Sequence, residues 1–205
     1  MRMMAVKRVI SAEAVSANVE ANGLLTALTG ALLLVLLAAM GLTVLDVRRF
    51  LPEHFLLGFL LIPPLGLKVA STGYRFARYY TGALSYRAAG PPAWPVRLLG
   101  PIVVLSTAAL FITGLELWWF GLRFGSAWVG FHKVSFMIWL PATGIHVLWH
   151  LGRTARAARD ELSSDRAAGE LGRRGLVVGS LVAGIALAIA TLSYHSPFLF
   201  FHEGG

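Results

Sequence analysis

Two apolar stretches of this chain carry the same chemically capable residues at the same spacing. HFLLGFLLIPPLGLK (residues 54–68) and HKVSFMIWLPATGIH (residues 132–146) each begin with histidine and end on a basic side chain. His54 aligns with His132, Pro63 with Pro141, Gly66 with Gly144 and Lys68 with His146, at a constant offset of 78 residues. His150 follows His146 by one helical turn, on the same face. Ionisable groups inside apolar segments are costly to bury and are functional candidates by default. Imidazole nitrogens are also strong ligands for iron, zinc and copper.

Their spacing sets which of them can meet. The two segments run in the same direction, so His54 and His132 lie at one depth. Lys68 and His146 lie fourteen residues further along, about 21 Å at 1.5 Å per residue. At 100° per residue, fourteen steps return close to the starting direction, so each His and its basic partner share a helix face. The intervening prolines are expected to bend the helices. His54 can then face His132 across a bundle, whereas His54 and His146 are too far apart in depth to meet.

The elements that must position these residues are membrane spans. The chain has 205 residues, 57% hydrophobic and 14% charged, far from the balance of a soluble domain. Five apolar runs reach the roughly 20 residues needed to cross a bilayer: 21–45, 54–74, 98–122, 124–152 and 175–202. They are continuous and leucine-rich, which predicts helices in place of the alternating strands of a barrel. The expected fold is an all-α integral membrane protein. Spans 1–2 and 3–4 form two related hairpins making a four-helix bundle over 21–152, and a fifth helix and outward tail occupy 175–205. Residues 1–20 are expected to be a cytoplasmic, surface-lying amphipathic segment, and 153–174 a charged cytoplasmic helical extension plus a turn. No cysteine is present, which excludes disulfides, iron–sulfur clusters and covalent haem attachment. No phosphate-binding loop is present either, which argues against nucleotide-driven chemistry.

The net charge of +8 reads as membrane orientation, with no nucleic-acid partner. Thirteen Lys and Arg residues fall on the side of the N-terminus and of loops 75–97 and 153–174, against Arg48, Arg49 and Arg123 on the other. By the positive-inside rule the N-terminus is cytoplasmic and the C-terminus faces outward. Trp118, Trp119 and Trp128 are expected at the outer interface, and Tyr74, Tyr79, Tyr80 and Trp149 at the inner one. The basic 75–97 loop is expected to lie against anionic headgroups. Lys133 and Glu116 sit at similar depth and are expected to form an ion pair. His195 and His202 read as surface residues.

Two histidine levels about fourteen residues apart on bundle helices resemble bacterial integral-membrane b-type cytochromes, the haem-anchor subunits that link a partner oxidoreductase to quinone. The resemblance covers roughly residues 23–152. It implies haem b, one or two groups, with His54 and His132 as axial ligands of an outer iron. Gly58, one turn below His54, would let a porphyrin approach the backbone. Lys68 departs from the family pattern, since a histidine is expected there. It could ligate an inner iron opposite His146, or pair with a propionate or quinone while His150 ligates, or the inner haem could be absent. The implied function is electron transfer across a bacterial inner membrane, between the quinone pool and an external partner such as a molybdenum-cofactor oxidoreductase. Two other readings remain open. In one the chain is a non-haem accessory or assembly subunit whose histidines serve packing. In the other it is a small transporter with proline gating kinks.

Overall fold

Long uninterrupted apolar sequence leaves the backbone only its own hydrogen bonds to satisfy, and in lipid that selects helix. The computed structural model, which describes residues 2–90, 93–163 and 170–199, accordingly contains helices and no strands among those residues. They are α1 (Arg2–Leu45), α2 (Leu51–Tyr80), a single-turn α3 (Leu84–Ala88), α4 (Trp94–Phe120), α5 (Ala127–Ser163) and α6 (Glu170–Thr191). All but α3 contain stretches long and apolar enough to cross a membrane. Many of their large apolar side chains are exposed, among them Leu105, Met137 and Leu148, as lipid-facing surfaces require.

α1 is continuous from Arg2 through its apolar stretch. α5 continues past the apolar run to Ser163, so the helical extension lies within the described residues. Residues 164–169, part of the 153–174 segment for which a turn is expected, and His202 lie outside them.

α1 packs on α2, α4 on α5, and the two hairpins join mainly through α1 and α5. α2 and α4 meet over a much smaller area, and α2 and α5 stand diagonally across the bundle. α6 lies outside this ring, packed chiefly along α2. That docking depends on a proline. Pro64 has no N–H to give the carbonyl of Leu60, four residues earlier. Gly184 of α6 sits directly against that carbonyl oxygen, where a Cβ would collide with it. Ala188, one turn on, is 2% exposed.

The connections sort to two ends. The short α1–α2 and α4–α5 turns share one, called here the turn end, and α3 with the last residues of α5 and the first of α6 marks the loop end. The chain after α6 folds back over the turn end. Tyr194 Oη donates to Trp119 O at 2.7 Å and Ser196 Oγ to Trp118 O at 2.6 Å. These are carbonyls of the last turn of α4, where intrahelical donors have run out. Gly121, the C-cap, has φ +63, and a Cβ there would come 3.0 Å from Pro197 Cβ. Only glycine suits both that backbone and that approach. Phe198 completes the cover by packing on Leu51, Leu117, Phe55 and Trp128. Trp118, expected at the lipid interface, is instead 7% exposed, packed on Phe59, Ala188 and Tyr194, because the tail and α6 enclose it. Trp119 stays half exposed.

The Ser196 hydroxyl is wholly buried. Ser196→Ala is therefore expected to cost about 1 kcal/mol, read as a lowered unfolding midpoint of the detergent-solubilised protein.

Candidate functional site

At the turn end, α2 and α5 project His54 and His132 toward each other across the bundle diagonal. Their ring centroids are 6.4 Å apart and the rings are nearly perpendicular, at 84°. Each ring is fixed by the helix it packs on. Thr43 Oγ1 of α1 lies 2.9 Å from His54 Nδ1, and Thr113 Oγ1 of α4 lies 3.0 Å from His132 Nδ1. Both threonines also donate to carbonyls of their own helix, Met40 O and Ala109 O. An Oγ1 that donates its only proton to a carbonyl accepts from the imidazole, so each Nδ1 carries the N–H and each Nε2 keeps its lone pair. Outer-shell bonds of this kind hold ring tautomer and orientation at metal sites.

The two threonines are related in the same way as the histidines. Residues 30–45 and 100–115 align without gaps at an offset of 70, matching Gly30 with Gly100 and Thr43 with Thr113. The repeat therefore runs through both helices of each hairpin, with eight extra residues in the second turn, 19 from Thr113 to His132 against 11 from Thr43 to His54. Sequence reading missed the threonines because hydroxyls that bond their own helix are ordinary in apolar spans. The offset was the signal that could have found them.

The glycine beside the pair is Gly114. A Cβ there would come 3.2 Å from His132 Cε1, so its absence lets α4 seat the imidazole edge. A Cβ at Gly58, the glycine expected to serve a porphyrin, would meet Met40 Cε of α1 at 3.9 Å. Beyond the pair lies the aromatic cover formed by Phe55, Trp128 and Phe198. The expected Lys133–Glu116 ion pair is not formed. Lys133 follows the inward-facing His132 by 100° of rotation and is exposed, and both carboxylate oxygens of Glu116 are buried without a hydrogen-bond partner.

Toward the loop end, Lys68, His146 and His150 line a cavity of about 140 Å³ that all four bundle helices enclose. His146 and His150 stack obliquely with centroids 4.7 Å apart. Lys68 does not mirror His146 as the repeat suggested. Its Nζ donates to Thr26 O of α1 at 2.6 Å, and the missing side chain of Gly30 makes room for it, since a Cβ there would be 2.9 Å away. The ammonium is held by a carbonyl dipole on its own hairpin.

The turn-end pair can do one thing well. A metal held between two imidazoles at about 2 Å from each nitrogen puts the ring centroids about 6 Å apart, which matches the observed separation. Among the described residues no group of three or more His, Cys, Asp or Glu could hold a bare ion. Two imidazoles therefore suit a metal that brings its remaining ligands with it. No protein family, curated protein or solved structure matches the chain.

Proposed function

We propose that this chain is a membrane-embedded b-type cytochrome, in which His54 and His132 would hold one haem iron. The observation that carries the reading is the pair itself: two imidazoles on diagonal helices, a metal-bridging distance apart, each pinned through Nδ1 by a threonine. A haem held there would supply one-electron redox chemistry. The chain's own part is to orient the imidazoles, exclude water with Phe55, Trp128 and Phe198, and set a low local dielectric, which tunes potential. A bare packing role for the histidines would not call for both Nδ1 atoms to be held in the same way.

The arginine asymmetry favours a bacterial inner membrane with the N-terminus in the cytoplasm and the C-terminus outside. On that orientation the histidine pair lies near the outer face, where an exported oxidoreductase, a molybdenum-cofactor enzyme among the candidates, exchanges electrons with it. The quinone pool is the partner within the bilayer.

A pyridine-haemochrome assay on the purified full chain tests the reading: haem b at one per chain is expected, and a colourless protein overturns it. Thr113→Val keeps the side-chain volume and removes the acceptor for His132 Nδ1–H. It is expected to weaken haem retention about 10-fold or more, measured by transfer to apomyoglobin, with the helical circular dichroism unchanged.

A further inference from the structure

We infer that a groove between α1, α2 and α5 at the loop end binds the headgroup of one amine-bearing phospholipid, of the phosphatidylethanolamine type. The inference is independent of the haem reading and uses none of its residues.

The groove has a volume of about 250 Å³. α1 supplies Glu20 and a floor of Gly23 and Ala27, Arg75 enters from α2, and Arg153 from α5. A Cβ on Gly23 would meet nothing within 4 Å, so the missing side chain leaves the groove open above a buried Ala27.

The sequence sets its depth. Glu20 immediately precedes the apolar run 21–45, Arg75 immediately follows 54–74, and Arg153 immediately follows 124–152. All three therefore border their spans at the same end, in the layer that lipid headgroups occupy. A ligand held by them has its polar part in that layer and its remainder among acyl chains.

The three charges are not spent on one another. Among the described residues, none of them makes a hydrogen bond or an ion pair. Arg75 is half-buried, whereas Arg153 and Glu20 are exposed. Two like charges on one groove repel, and an anion between them relieves the repulsion. The guanidinium fork matches the oxygens of a phosphate. Glu20 disfavours a purely anionic headgroup and suits one that carries a cation beside its phosphate. Phosphoethanolamine carries both, and its ammonium has N–H donors for a charge-assisted bond to the carboxylate. The trimethylammonium of phosphatidylcholine has no such donors, and phosphatidylglycerol has no cation.

The test uses the full chain, purified in detergent and depleted of lipid, with native mass spectrometry reading the lipid bound. Dioleoyl forms of phosphatidylethanolamine, phosphatidylcholine and phosphatidylglycerol are added separately. One phosphatidylethanolamine per chain is expected, held about 10-fold more tightly than either other lipid, in keeping with one hydrogen bond between charged groups. Arg75→Gln and Arg153→Gln should each weaken its binding severalfold. Glu20→Gln should remove the preference among the three lipids and leave binding itself in place. Gly23→Leu fills the groove with a residue that favours helix, and should block binding with the helical circular dichroism unchanged. Soluble phosphoethanolamine in excess should not displace the lipid; displacement would assign the groove to a soluble zwitterion and overturn the proposal. Phosphatidylglycerol bound as tightly as phosphatidylethanolamine would overturn it too, as would a preference that survives Glu20→Gln or an affinity that neither arginine variant alters.

Discussion

Replacing His132 with alanine is expected to abolish the reduced α-band and the low-spin Soret maximum of the purified protein, while His146→Ala leaves both in place. The reasoning follows the geometry. His132 reaches the bundle centre from α5 with its Nδ1 at Thr113, so its Nε2 would be the atom to hold iron. Across the diagonal, His54 is tied to Thr43 in the same manner. Removing one imidazole would take away one of the two side chains proposed to hold the iron and leave a cavity next to Gly114, the residue whose missing side chain seats the ring. Added imidazole should fill that cavity and restore the low-spin spectrum. Rescue of this kind separates a lost ligand from a collapsed fold, and a His132→Ala protein with an unaltered spectrum would end the assignment.

The second large effect is expected far from any chemistry. Gly184→Ala should destabilise the protein by about 1–3 kcal/mol, the usual range for forcing a methyl group into a filled contact. The new Cβ would strike Leu60 O, the carbonyl that Pro64 leaves without its helical donor. α6 must then lift from α2, carrying Ala188 and the tail that packs on Trp118 with it. Gly179→Ala on the same helix is the control, since a Cβ there meets nothing within 4 Å, and it should change stability by less than about 0.5 kcal/mol. Unfolding midpoints in detergent read both. Equal effects from the two would mean that the Leu60 contact is not what docks α6.

Composition and the length of the apolar runs made the five helices legible, because a run of 20 or more apolar residues leaves few alternatives to a spanning helix. The 78-residue offset likewise made it legible that His54 and His132 share a depth. What stayed hidden was set by packing between elements distant in sequence. Thr43 and Thr113 are unremarkable until their helices bring them against an imidazole. Trp118 looks like an interfacial anchor until Tyr194, 76 residues later, covers it. Lys68 matches His146 in position, yet a side chain with four rotatable bonds goes to the nearest good acceptor, here Thr26 O. Spacing fixes where a residue starts from its helix, and the surrounding carbonyls and gaps decide where it ends.

The fold-back of Tyr194, Ser196 and Phe198 over the turn end also bears on the order of assembly. Both imidazoles leave the ribosome before the segment that seals them, and Tyr194 emerges 62 residues after His132. At translation rates of about 5–20 residues per second that interval is roughly 3–12 s. During it the half-built bundle presents an open doorway to a flat hydrophobic guest, and the closing residues then act as a latch that is made last.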